Sequence, residues 1–263
     1  MSDKTNIPNR DEEKINAIIT SNNYSLHNKL SWDDRKLQAY LIDYLENLYK
    51  GKTVIVTLIG APASGKSTLV KHLTTQLNNK GHLTDSISTD GFSMYSRKER
   101  NERIANGAYP LDLKDLTLNK KIVESVRRGE KIKAPIYNEL TGDAIAAPLE
   151  DWHELPQDLH FLIEEGDLQP IDDPDMAIYL HLPTDVRREN RVERDLAKRD
   201  GYGDAEDIRK SFDGRLETQY YPYTLPNAEK ADILIIAQAH PEPINREYHH
   251  KYTYSVYIKN KIY

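Results

Sequence analysis

Nine residues, GAPASGKST at 60–68, constrain this 263-residue chain more than any other stretch. They satisfy G-x-x-x-x-G-K-[ST], in which glycines let backbone N–H groups crowd around a polyphosphate without steric bulk. Ahead of them, Val54–Ile59 is an unbroken β-branched and leucine run, as expected of a strand buried on both faces of a parallel sheet. Behind them, Leu69, Val70, Leu73 and Leu77 recur at helical spacing with Gly81 near the end, which predicts a helix over 65–79. A glycine-rich turn between a buried strand and an amphipathic helix is the context that the motif requires. Gly60, Ala61, Pro62, Ala63, Ser64, Gly65, Lys66, Ser67 and Thr68 are therefore read as an ATP site. Lys66 brings a positive charge to the β- and γ-phosphates, Ser67 offers a hydroxyl to Mg²⁺, and the helix N-terminus adds its dipole.

Beyond this motif the chain alternates strands and helices. Leu83–Thr89 reads as a short strand and 115–128 as a helix carrying Leu116, Leu118, Ile122 and Val126. His160–Ile163, Ala177–Leu182 and Ile233–Ala237 are further apolar runs, and Tyr252, Tyr254, Val256 and Ile258 alternate as in a late edge strand. Such alternation predicts an α/β fold, a P-loop-type parallel sheet with helices on both faces. Residues 1–50 read as a helical N-terminal extension packed on a domain of residues 51–263. Its second helix follows Ser31, spaced from Asp34 like a capping box, and carries the stripe Leu37, Tyr40, Leu41, Tyr44, Leu45 and Leu48 up to Gly51. That stripe either packs on the main domain or meets a partner.

Composition narrows the class. No apolar run approaches the roughly 18 residues of a membrane helix, and the N-terminal MSDKTNIPNRDEEK lacks the apolar core of a signal peptide. The absence of cysteine excludes disulfides and thiolate zinc sites. A net charge of −6 argues against a nucleic-acid binder held by phosphate contacts. The expectation is a cytoplasmic protein acting on a small molecule, without nucleic-acid or membrane partners; a homo-oligomer stays open. No N-K-x-D guanine element and no L-S-G-G-Q signature is found. The next carboxylate at a strand end is Asp90 in STDGFSM, either a ligand-facing acid or an Asp-Gly turn.

GAPASGKST, then STDGF at 88–92, then APIYNELTGDAI at 134–145 resembles the superfamily of uridine kinase, phosphoribulokinase and type I pantothenate kinase. RNERIANGAYPLDLKDL (100–116) is similar to the segment after the DGF element. LIEEG (162–166) resembles the strand ending in Glu-Gly, RVERDLAKRDG (191–201) the lid, and LPNAEKADILI (225–235) the closing element. The likeness runs in order over about 53–237. It implies a kinase using ATP and Mg²⁺, with Asp90 as base on the acceptor hydroxyl and Glu165, or its neighbour Glu164, arranging the metal. It also implies Tyr137 and Asp143 beside the substrate, although Asn138 and Glu139 depart from the uridine-kinase pattern.

A helical lid is expected at about 184–210, followed by a Tyr-rich tail over 239–263. Arg187, Arg191, Arg194 and Lys198 recur at i, i+4, i+7 and i+11, a cationic stripe able to close over a triphosphate. Arg191 and Arg194 are the catalytic candidates and Arg187 a substrate contact. Glu189, Glu193 and Asp195 allow instead a salt-bridged surface helix. Gly201 and Gly203 around Tyr202 suit a hinge, and His249 and His250 read as solvated histidines rather than metal ligands.

Overall fold

A computed structural model describes residues 7–30, 34–138, 149–171, 173–198, 204–239 and 252–260. In chain order its main elements are α1 Ile7–Ser21, β1 Tyr24–Leu30, α2 Asp34–Leu48, β2 Val54–Gly60, α3 Lys66–Asn79, β3 Thr84–Ser88, α4 Arg97–Ala105 and α5 Leu116–Arg127. Then follow β4 Ile132–Ala134, β5 His153–Leu155, β6 Phe161–Gly166, β7 Met176–His181, α6 Thr184–Lys198, α7 Ala205–Arg215, β8 Ile233–Ala239 and β9 Tyr252–Lys259. They divide between two compact units. The first holds Met1–Leu37, Gly60–Gly65 and Ile178–Tyr263; the second holds Gln38–Ile59 and Lys66–Ala177.

In the second unit, β2, β6 and β3 pair in parallel in that order. Val54 lies opposite Phe161 and Ile59 opposite Gly166, while Ser88 lies opposite Glu165. Every residue of β2 is buried, which a Val-Ile-Leu run tolerates and a charged strand would not. α3 turns Leu69, Val70, Leu73 and Leu77 inward. It stops where Gly81 takes φ +88, and the Asn78 side chain bonds the Thr84 carbonyl and amide at 2.8 and 3.1 Å. Those two bonds fix the short connection into β3. α5 begins on Asp115, whose carboxylate accepts from the Leu118 amide at 2.8 Å. It lays Ile122, Val123 and Val126 into a core with Ile55, Ile87, Phe92 and Leu162, each burial worth about 1.5–3 kcal/mol. β4 and β5 form a separate antiparallel pair.

In the first unit β7 and β8 run parallel, Ile178 opposite Ile233. The Tyr-rich alternation does make a strand, but not an edge: β9 lies antiparallel between β8 and β1. β1 has no counterpart in the sequence reading because the alternation of Tyr24, Leu26 and Leu30 in YSLHNKL is short and broken by Asn28. Leu26 is 54 % exposed, and the register shifts between Leu26 and Asn28. Tyr24 anchors the strand instead, its buried hydroxyl within reach of the Ala228 and Ala231 carbonyls. Of the N-terminal stripe, Leu37, Leu41 and Leu45 are buried, whereas Ser31 lies outside the described residues.

Parallel strands joined through helices make the fold α/β, as the alternation predicts. Among the described residues no helix is long and apolar enough to cross a membrane.

Candidate active site

The loop Gly60–Gly65 takes a shape open to few residues. A Cβ on Gly60 would stand 2.4 Å from the Leu180 carbonyl oxygen, so only glycine fits there. Gly65 has φ +90 and Ala63 φ +61, a left-handed conformation that costs an alanine about 1–2 kcal/mol. The Ser64 amide donates to the Ala61 carbonyl at 3.3 Å. The Ser64 hydroxyl is buried with no hydrogen-bond partner among the described residues, a donor that suits an oxygen-rich anion.

In the same unit α6 reaches this loop through Asn190, whose amide donates to the Ala63 carbonyl at 3.4 Å. Arg191 and Arg194 both turn Nε to the buried carboxylate of Asp195, at 2.5 and 3.1 Å. Arg187 is turned to the interior. It is 1 % exposed and donates to the Leu182 carbonyl at 2.8 Å and to Thr184 Oγ1 at 2.6 Å. It also reaches Asp11 at 3.3 Å and stacks 4.2 Å over the Tyr220 ring. Arg187 therefore fastens α1 to the first turn of α6. Helical spacing identifies a shared face, but not which turn of that face a neighbouring helix covers. The Lys198 side chain, Glu139, Asp143, Gly201, Tyr202, Gly203, His249 and His250 lie outside the described residues.

The second unit gathers the remaining candidates. Lys66 and Ser67 open α3: Lys66 Nζ meets Asp167 Oδ1 at 3.0 Å, and Ser67 Oγ donates to Glu165 Oε1 at 2.9 Å. The two glutamates have different surroundings, since neighbours on β6 face opposite ways. Glu165 faces Ser67. Glu164 is fully buried and accepts from Asn119 Nδ2 of α5 at 2.5 Å. Gly166 then lets the end of β6 close on Thr89, because a Cβ there would lie 2.1 Å from Thr89 Oγ1.

Asp90 sits on a single helical turn, Thr89–Phe92, directly after β3. Lys114 Nζ donates to Asp90 Oδ1 at 3.0 Å and to the Thr89 carbonyl at 2.8 Å. The Lys114 charge holds Asp90 below the usual carboxylate range against the pull of desolvation, and Arg100 and Lys66 reinforce it. Burial instead pushes Glu165 up, with Ser67 and Lys66 opposing. Burial also pushes Glu164 up to about 8, against the Asn119 hydrogen bond. Gly91 lets this turn pack on the chain just after β4, since a Cβ there would stand 2.4 Å from the Pro135 carbonyl oxygen. Two residues on, the Tyr137 hydroxyl accepts from Arg100 at 3.0 Å and from Arg97 at 3.3 Å.

Lys114, Asn119, Asp167, Arg97 and Arg100 escape sequence reasoning. Lys114 stands in DLKDL, where alternating charges read as a solvated turn. The spacing of Arg97, Arg100 and Arg103 was readable as one helical face. Magnesium takes one or two protein oxygens together with phosphate oxygens and water. Ser67 and Glu165 can supply them, and Glu165 Oε2 is buried with no hydrogen-bond partner among the described residues. A hard cation fits there. No group of three or more His, Asp or Glu side chains able to hold a metal occurs among the described residues.

The sequence model of the phosphoribulokinase/uridine kinase family matches residues 55–242. The chloroplast phosphoribulokinase of Mesembryanthemum crystallinum is 26% identical over 204 residues, 70% of this chain and 49% of that protein. The chloroplast phosphoribulokinase of Triticum aestivum is 27% identical over 202 residues, 69% of this chain and 48% of that protein. The chain spans about half the length of the curated relatives it matches. The solved D-glycerate 3-kinase of Cryptococcus neoformans var. grubii shares the fold with a TM-score of 0.57 at 14% identity, over 76% of this chain and 94% of that one.

Proposed function

From the premise that this chain belongs to the phosphoribulokinase/uridine kinase family, we propose that it transfers the γ-phosphate of ATP to a hydroxyl of a small metabolite. One observation carries the reading. The start of α3 and the ends of β3 and β6 bring a phosphate-type lysine, a hydroxyl–carboxylate pair and a second carboxylate together in one unit. Residues 60–68 hold the polyphosphate, with Lys66 as its point charge. Ser67 and Glu165 hold Mg²⁺, which supplies neutralisation of charge on the phosphate oxygens. Asp90, kept ionised by Lys114, orients the acceptor hydroxyl and takes its proton as the new O–P bond forms and the bond to ADP breaks. Arg191 and Arg194 add positive charge toward the transferring group. A nucleoside, pantothenate or a sugar-like alcohol is the acceptor.

The test is coupled ADP release across nucleosides, pantothenate, sugars and glycerate. One compound that raises turnover well above background is the expected result. ATP hydrolysis that no acceptor stimulates would make the protein a P-loop ATPase instead.

A further inference from the structure

α1 turns one face to the interior of its unit, and that face is not all apolar. Asp11, Ile15 and Ile18 fall at i, i+4 and i+7, and all three are buried, Asp11 fully. A carboxylate in such a place needs a cation, because desolvation of an unpaired charge is too costly. Arg187 supplies it at 3.3 Å, with each side chain 1 % exposed. Among the described residues Asp11 is the only carboxylate within ion-pairing distance of Arg187. The Thr184 hydroxyl closes the arrangement: it accepts from Arg187 at 2.6 Å and donates to the same Asp11 oxygen that Arg187 reaches. Arg187 Nε donates to the Leu182 carbonyl at 2.8 Å. One buried point thus joins α1, the chain just after β7 and the first turn of α6.

A buried ion pair adds little stability over apolar side chains of the same volume, since desolvation takes back most of the attraction. What it can supply is register. An apolar face can slide along a neighbouring helix, whereas a buried carboxylate has to meet its one guanidinium. The helix held in this way carries the arginines of the proposed reaction. Asn190, three residues beyond Arg187, donates to the Ala63 carbonyl of the phosphate loop at 3.4 Å. Arg191 and Arg194, one and two turns beyond Arg187, share Asp195. All of these residues belong to the first unit. We propose that Asp11 is a positioning residue for phosphoryl transfer: through Arg187 it sets the register of α1 on α6, and so the placing of Arg191 and Arg194. This rests on the kinase reading above and adds to it a buried residue that acts through another helix.

The experiment measures kcat and the ATP KM by coupled ADP release, with whichever of uridine, pantothenate, ribose and D-glycerate stimulates the protein most. Asp11→Asn keeps the size and removes the charge. It should lower kcat by about ten- to a hundred-fold, the usual cost of a small misplacement of reacting groups, and raise the ATP KM much less. In Arg191→Ala and in Arg194→Ala the same change should cost clearly less, since part of what it misplaces is already gone. Arg10→Gln is the control and should match wild type: Arg10 also lies on α1, but its partly exposed side chain bonds Glu217 and stacks over Tyr221. Because Asp11→Asn leaves the Arg187 charge buried without a carboxylate, thermal midpoints are recorded and every assay runs well below them. Thr184→Val, which removes only the bridging hydroxyl, is the second variant and should show the same pattern at smaller size. A folded Asp11→Asn with wild-type kcat, or a loss by the same factor with and without the arginines, would overturn the positioning role and leave the kinase standing. ADP release that none of the four compounds stimulates would remove the kinase reading and this inference with it.

Discussion

Asp90 and Glu165 stand near the ends of neighbouring strands with their proton affinities driven in opposite directions. Lysine beside one and burial around the other produce the split. Asp90→Asn keeps the size and removes the charge. Transfer should fall by about 10²–10⁴, roughly 3–5 kcal/mol of barrier, while ATP affinity measured by titration stays near wild type. If acceptor-dependent turnover survives intact, Asp90 is only a turn residue. Lys66 is 8 % exposed and matched by Asp167. Lys66→Met should abolish transfer and weaken nucleotide binding, because nothing else named at the start of α3 supplies a charge to the phosphates. A clean preparation with unchanged turnover would remove the P-loop assignment.

At the scale of elements, α6 shows how spacing both informs and misleads. Its arginines were legible as one stripe, but the first of them is taken by Asp11, Thr184 and Tyr220 in the interior. Only packing from another helix decides that, and a single-sequence period does not contain it. The strand–loop–helix around Gly60–Thr68 was legible because each part answers to a local rule: continuous burial, glycine conformation and an amphipathic period. The turn at Asp90–Gly91 was legible as a motif, while its partners Lys114 and Arg100 come from other elements, and no local pattern joins them to it. β1 went unread for a similar reason, since it is held by pairing with β9 and by Tyr24, not by an apolar pattern. Arg191→Ala and Arg194→Ala should lower kcat more than they raise the ATP KM, because their contribution grows as charge spreads in the transition state. The two should not add, since both lean on Asp195 and loss of both strands a buried carboxylate. Variants kinetically equal to wild type would leave α6 a salt-bridged helix with no part in transfer.

At the scale of the whole molecule, burial displaces titratable groups in both units, and His181 and Glu164 should narrow stability from opposite sides in pH. In the first unit burial, then the Arg187 charge, lowers His181 to about 3. The unfolded chain therefore binds a proton that the folded one refuses, and stability falls as pH drops from about 6.5 toward 3. In the second unit Glu164 is raised to about 8, so the folded chain keeps a proton that the unfolded one releases above about 4.5. Its contribution is complete below that lower value and drains away as pH rises through about 8, at no more than about 1.4 kcal/mol per pH unit. Glu164→Gln separates the two limbs. The amide carbonyl can still accept from Asn119, and its nitrogen replaces the acid O–H at Oε2, which has no hydrogen-bond partner among the described residues. Urea unfolding at about pH 6 and pH 9 should show wild type losing roughly 2–3 kcal/mol more than the variant across that interval, which leaves the variant the more stable protein at the alkaline end. The acid limb, set by His181, should be the same in both. A variant that loses as much as wild type between those values would mean that Glu164 is ionised in the folded protein, with its charge answered by Asn119 and Lys114.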